Sequence, residues 1–352
     1  MRDVARAASV STATVSRVLN GGRVRPSTAR TVQRAVERLG YVPNRVARGL
    51  VTGRSDVVGV LVPDLVGPLN AAVARGVEDE LEARGMHAVV VTDHRDAYRE
   101  RTRIETLVSR RVDGLILIGS QLADDELRAV AGSTPVVHVG AERPPQPGDD
   151  ALPEVSVDNR AGIDAALELL ARAGHSRIAH LAGPRRDGRE RAAAIEELAG
   201  SHGLHLVAVA KSDFSEEGGL EAGHLLLEQG GFSAVVCAND RSAVGLYAAA
   251  RERGLSLPHD LSVVGFDDLP WSAYLDPPLT TLRQPSREMG RLATARLLDP
   301  AASDAWNGAR KLIPETIRRA SVTTPFSPIP AQSSAARTPA PSTSLSFKED
   351  QT

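Results

Sequence analysis

From Val57 to Phe266, eight short apolar runs recur with amphipathic stretches between them. They are VVGVLV (57–62), AVVV (88–91), GLILIG (114–119), PVVHVG (135–140), RIAHLAG (177–183), LVAVA (206–210), AVVCA (234–238) and SVVGF (262–266). Short runs rich in Val and Ile suit strands buried on both faces, and helical stretches between them suit crossovers. The pattern therefore predicts parallel βαβ units. Eight units exceed one comfortable sheet, and the proline-rich stretch 144–153 separates the first four from the last four, which predicts two lobes. Ligands of open α/β sheets lie beyond the carboxyl ends of the strands. Two lobes facing each other thus make a cleft.

No catalytic signature accompanies these strands. There is no G-x-G-x-x-G after the first, no phosphate loop ending in Gly-Lys-Ser/Thr and no G-x-S-x-G elbow, which argues against a dehydrogenase or a kinase. The strand ends carry Asp64, Asp158-Asn159, Asn239-Asp240 and Asp267-Asp268 instead. Each alone suits a helix cap or turn; together at strand ends they suit a hydroxylated ligand. The single cysteine, Cys237, ends an apolar run and reads as a small buried residue. The nine histidines never pair with Cys or carboxylates at ligand spacing, so no metal and no other cofactor is expected. No segment has the length of unbroken apolar sequence a membrane span needs, and the N-terminus lacks the apolar core of a signal peptide. A cytoplasmic protein is expected.

A net charge of −2 conceals an asymmetry. Residues 1–55 hold eleven arginines against Asp3 and Glu37, whereas the remainder holds 31 basic and 42 acidic side chains. A basic head on an acidic body suggests that the head alone meets a polyanion. Three helical patterns occupy that head. Val4, Ala5 and Ala8 share a face of the first; Val15, Val18 and Leu19 line the second; Val32, Ala35, Val36 and Leu39 line the third. Ser9-Val10-Ser11 makes the first turn, with Ser11 placed to cap the second helix. Pro26 suits the start of the third and Gly40 its end. This is a helix-turn-helix arrangement, leaving Thr12, Ala13, Ser16 and Arg17 facing outward. Arg17 can fork onto a guanine, and Thr12 and Ala13 can touch a thymine methyl. Thr14, Ser16 and Asn20 are short polar groups of the kind that grip phosphates.

The string DVARAASVSTATVSRVLNGG (3–22) resembles the opening of the lactose-repressor (LacI/GalR) family of bacterial transcription regulators. The resemblance implies base reading by Thr12, Ala13 and Arg17. Ser9 stands where that family usually has Gly, and the chain starts two or three residues closer to the first helix than is usual. The stretch YVPNRVARGL (41–50) resembles the family's hinge. There Asn44 would cap a short helix carrying Arg48, and Leu50 would wedge into the minor groove at the operator centre. Gly49 replaces the usual Ser, which weakens the helix. The likeness continues in RRVDGLILIGS (110–120), VSVDNRAG (156–162), AGHSRIAHLAGP (173–184), CANDRSAVG (237–245), LSVVGFDDLP (261–270) and DPPLTTLRQP (276–285).

The resemblance implies an all-α helix-turn-helix head on an α/β, two-lobed, periplasmic-binding-protein-like body with parallel sheets. The expected divisions are a head over 1–43, a hinge over 44–55, a body over 56–324 and a Pro/Ser/Thr-rich disordered tail over 325–352. Within the body the N-lobe spans about 56–155 and 284–310, and the C-lobe about 156–283 and 311–324. It further implies effector contacts at Leu69, Asn70, Arg191, Phe214, Asn239 and Asp267. Asp267 and Arg191 would take paired hydroxyls, and Phe214 would offer a flat face. Leu69-Asn70 replaces two aromatics common after Pro68, and Ala-Ala-Ala-Ile after Arg191 replaces a Gly-aromatic pair. The implied partners are a second copy of the chain, a pseudo-palindromic operator in double-stranded DNA and a small-molecule effector, most simply a sugar, whose binding commonly releases DNA. A purine corepressor is the alternative effector, and a sugar-binding transport protein the alternative of another class.

Overall fold

The computed structural model describes residues 1–19, 22–41, 54–142, 151–299, 309–312, 314–317, 319 and 322. Among the described residues of the head are three helices: α1 (Arg2–Ala7), α2 (Thr12–Leu19) and α3 (Pro26–Arg38). Val4, Ala5, Ala8, Val15, Val32 and Ala35 form its buried centre, with Val10, Val18, Leu19 and Val36 packed around it. These are the positions that the helical spacing selects, except Leu39, which stands at the end of α3 as its C-cap and is 46% exposed. Pro26 occupies the first turn of α3, where its missing N–H costs nothing. Gly40 ends the third helix with φ 57°, a conformation that glycine adopts without strain.

In the body, β1 (Val57–Val62), α4 (Pro68–Glu82), β2 (His87–Thr92), α5 (Ala97–Ser109), β3 (Gly114–Ile118), α6 (Asp124–Ala131), β4 (Val136–Val139) and β5 (Glu154–Val157) alternate in the first half. The second half continues with α7 (Asn159–Arg172), β6 (Arg177–Ala182), α8 (Arg185–Leu198), β7 (His205–Lys211), α9 (Glu216–Gln229), β8 (Ala234–Cys237), α10 (Asp240–Glu252), β9 (Ser262–Asp267) and β10 (Thr280–Arg283). After these come α11 (Ser286–Leu298), β11 (Ala309–Leu312) and β12 (Glu315–Ile317). Two six-stranded sheets result, ordered β11-β5-β4-β3-β1-β2 and β12-β10-β9-β8-β6-β7. All eight apolar runs are strands. Among the described residues every pairing is parallel except β10 with β12 at one edge of the second sheet.

The same strand order in both sheets makes the lobes copies of one design. The chain passes between them three times: after β5, after β10 and after β11. The first sheet keeps the chain through Val157 and again through Leu312. Glycines let the flanking helices touch backbone to backbone. A methyl on Gly76 of α4 would stand 1.9 Å from the Arg287 carbonyl oxygen, and one on Gly290 of α11 2.1 Å from that of Val73. The second lobe repeats the device where Gly219 of α9 meets Gly245 of α10.

Candidate functional site

Helix α2 starts where sequence chemistry places it. The Ser11 hydroxyl accepts the Thr14 N–H at 3.1 Å and lies 3.0 Å from the Thr14 hydroxyl. That cap satisfies one of the free donors at the helix start. Val15 is fully buried beneath the helix, which turns Thr12, Ala13 and Arg17 outward, all three exposed. Ala13 and Arg17 are one helical turn apart and share a face. Thr14 and Ser16 are half-buried at its side. Ser9, in the turn before, has φ 52°, the left-handed region in which glycine is at ease. Asn20, Asn44, Arg48 and Leu50 lie outside the described residues.

The second site is the cleft between the lobes, with about 600 Å³ of space not occupied by atoms, part of it open to solvent. Leu69, Asn70, Arg191, Phe214, Asn239 and Asp267 all line it. Leu69 and Asn70 come from the first turn of α4, Arg191 from α8, Phe214 from the loop after β7, Asn239 from the loop after β8 and Asp267 from the end of β9. They meet because every one lies at or beyond the carboxyl end of a parallel strand.

Several of these side chains are already engaged. The Asn239 Oδ1 accepts the Ser242 N–H at 2.9 Å, capping α10, while its Nδ2 donates to the Phe214 carbonyl at 3.1 Å. Arg191 is buried, with Nε donating to Asn159 Oδ1 at 2.9 Å and its guanidinium carbon 3.6 Å from the Phe266 ring centre. The Phe214 ring rests on Gly183, where a methyl would stand 2.1 Å from it, and the Arg185 guanidinium lies 4.8 Å from its centre. The face expected to meet a ligand is therefore met by a cation.

Asp267 ends β9 in an unusual backbone conformation. Its φ is 126°, and Gln284 Nε2 donates to its Oδ1 at 2.5 Å. Burial pushes its carboxyl up to about 7, against the pull of Arg191 and aided by the charge of Asp240. Such shifts concentrate at functional sites.

The other acidic strand ends serve the fold. Asp240, fully buried, accepts from the Leu269 N–H at 2.9 Å and from the Ser272 and Thr281 hydroxyls at 2.5 Å each. It holds in place the loop that follows Asp267. Asp158 caps α7 through the Ala161 N–H. Asn159 donates to Asp187 and Glu190 beneath the cleft wall. Asp268 pairs with Arg283 and Arg319. Asp64 lines the cleft but spends Oδ1 on the Val66 and Gly67 N–H groups.

Cleft residues beyond the sequence expectation include Arg95, Arg185, Asp187, Arg241 and Gln284. Arg95 follows β2 and Arg185 follows β6, so the strand-end rule extended to basic residues would have found both. Arg241 is held by Glu216 in a forked pair. Arg186 of α8 spans the two lobes, donating to Glu154 Oε1 at 2.7 Å and to the Ala141 carbonyl at 3.1 Å. Cys237 is fully buried, and burial pushes its thiol up.

Residues 1–44 match the model of bacterial regulatory proteins of the lacI family, and residues 167–322 match a periplasmic binding protein-like domain. The HTH-type transcriptional repressor CytR of Escherichia coli (strain K12) is 33% identical over 328 residues, covering 91% of this chain and 95% of that protein. The crystal structure of the Lac repressor dimer bound to operator and the anti-inducer ONPF superposes with a TM-score of 0.82 at 29% identity, over 91% of this chain and 98% of the other. The complex of the transcriptional regulator CelR with cellobiose gives a TM-score of 0.66 at 30% identity, over 91% and 98%.

Proposed function

This chain belongs to the lacI family of bacterial regulatory proteins, and from that premise we propose a dimeric repressor whose grip on an operator is set by a small molecule in the interlobe cleft. The observation that carries the reading is the joining of two devices in one chain. One is a capped helix that turns Thr12, Ala13 and Arg17 to solvent; the other is a polar cleft lined from both lobes. The helix has the form that enters a major groove. A cleft that binds one lobe arrangement better than another shifts the balance between DNA-competent and incompetent shapes. The relatives support the pairing: a Lac repressor dimer with operator and a regulator holding cellobiose. A protein working on operator DNA acts where the chromosome lies, in the cytoplasm, and no catalytic step is assigned to it.

One head offers too little surface for tight specific binding, so two are needed. The face fitted to hold a second copy runs along α4 and the edge strand β2. Leu65 and Val90 are 67% and 42% exposed, and with Ala71, Ala74, Met86 and Ala88 they line the groove between α4 and β2. An apolar edge left open invites pairing. Val90→Glu should turn the dimer into monomer in sedimentation velocity and weaken operator binding by more than about tenfold, since one head loses the contacts of the other. A variant that stays dimeric and binds operator as before would move the interface elsewhere.

A further inference from the structure

The cleft is rich in arginine and poor in aromatic surface. Arg95, Arg185, Arg191 and Arg241 line it, and Phe214 is the one aromatic residue among its described lining residues. Neutral sugars and nucleobases are held largely by stacking on flat apolar faces together with hydrogen bonds. Here Arg185 lies over that ring, and Leu69-Asn70 adds no second face.

Two of the arginines come from opposite lobes and converge on one carboxylate. Glu142 Oε1 lies 3.1 Å from Arg185 Nε and 3.9 Å from Arg95 Nη1. Its Oε2 lies 3.4 Å from the Arg186 backbone N, in the first turn of α8. A side chain just beyond the carboxyl end of β4 thus stands where an N-lobe cation, a C-lobe cation and a helix start meet. Such a place favours negative charge. Among the described residues the carboxylate oxygens facing Arg95, on Asp64 and Glu142, lie at 3.7 and 3.9 Å, beyond hydrogen-bonding range. The carboxylates of the lining have partners of their own: Asp64 gives Oδ1 to its own turn and faces Arg95 with Oδ2, Asp187 accepts from Asn159, and Asp267 accepts from Gln284 and lies by Arg191. An entering anion therefore competes with Asp64 and Glu142 for Arg95.

We infer that the effector is a hydroxylated small molecule carrying a phosphate or carboxylate group, and that this group binds between Arg95 and Arg185 at the position shared with Glu142. The inference rests on reading the cleft as the effector site. An anion bridging these two arginines ties one lobe to the other, so its arrival acts directly on the lobe angle. The hydroxylated remainder reaches toward Asn239, Arg191 and Asp267 on the far wall.

The test uses the full chain, inorganic phosphate and matched ligand pairs: ribose with ribose 5-phosphate, and glucose with glucose 6-phosphate and gluconate. Calorimetric titration reads binding, and operator affinity is followed in parallel. Phosphate should bind the wild type, bind Glu142→Gln about tenfold or more tightly as its competitor is lost, and bind Arg185→Ala and Arg95→Ala about tenfold or more weakly. Circular dichroism melts confirm that each variant is folded. Within the pairs, the charged members should change operator affinity, and the phosphorylated and carboxylated arms separate the two anion types. Failure of phosphate to bind folded Glu142→Gln overturns the inference. Neutral members acting as strongly as charged ones overturn it while leaving the effector site standing. Binding of phosphate or of any of these ligands that leaves operator affinity unchanged contradicts the effector reading itself.

Discussion

Arg17→Ala should weaken binding to a selected operator duplex by roughly 30-fold to 20,000-fold. A bidentate contact to guanine carries about 1–3 kcal/mol of discrimination, a dimer makes the contact twice, and each 1.4 kcal/mol is tenfold. Arg17 is exposed on the outward face of α2, one turn after Ala13, with Val15 fixing the rotation of the helix from below. The head keeps its fold in the variant, because none of its buried positions changes. The readout that separates base reading from phosphate gripping is a second titration on an unrelated duplex at the same salt concentration. Loss confined to the operator identifies a base reader. Parallel loss on both duplexes, with a shallower salt dependence, identifies a phosphate contact and removes Arg17 from the code.

Asp267→Asn should stabilise the ligand-free protein at pH 8 and lower its response to effector. The carboxyl titrates near 7 in the folded chain and near 3.9 in an unfolded one. As pH rises from about 4 to about 7 the unfolded chain has released this proton while the folded chain still holds it. Stability contributed by the group therefore falls across that window, and the full cost is present above it. Ionising a carboxyl held that far above its ordinary range costs the fold about 4 kcal/mol, and solvent at the cleft wall reduces this to a gain on the order of 2–3 kcal/mol for the amide at pH 8. At pH 4 the variant and wild type should melt together. Asn keeps the acceptor for Gln284 and tolerates the unusual backbone, so the comparison isolates the charge. Equal melting temperatures at pH 8, or a gain that is the same at pH 4, would contradict the account. Ligand affinity moves the opposite way, because the amide is the poorer acceptor for paired hydroxyls.

Which parts of this molecule were legible beforehand follows from where the determining forces lie. The head was readable because its core is local: Val15, Val18 and Leu19 repeat at helical spacing, and Ser11 and Pro26 mark helix starts within the same few residues. The central Val-rich strands β1, β3, β4, β6, β8 and β9 were readable because burial on both faces selects that composition, whereas the edge strands β2 and β7 keep apolar residues that are partly exposed. Strands β5, β10, β11 and β12 have the sequences EVSV, TTLR, ARKL and ETI. They are strands because the lobe crossings lay them against existing edges, and no apolar run announces them.

The cleft divides in the same way. Asp267 and Asn239 sit at ends of readable strands, and the family resemblance pointed to them. Asp240 and Asp268 are their sequence neighbours and carry the same chemistry, yet one is swallowed by three hydrogen bonds and the other by two arginines. Only packing distinguishes the pairs. Arg95 and Arg185 lie ninety residues apart and acquire meaning when the lobes bring them to Glu142.

The central claim is a paired, sequence-reading head under control of the cleft, and its most direct test is selection of duplexes from a random pool by the full chain. At fixed salt, the wild type should enrich a two-fold symmetric sequence whose half-sites are centred about one helical turn apart, roughly 10 base pairs. A ligand that raises the melting temperature of the protein should change the yield of that sequence. A pool that remains unenriched, or an enriched sequence without two-fold symmetry, would contradict the account.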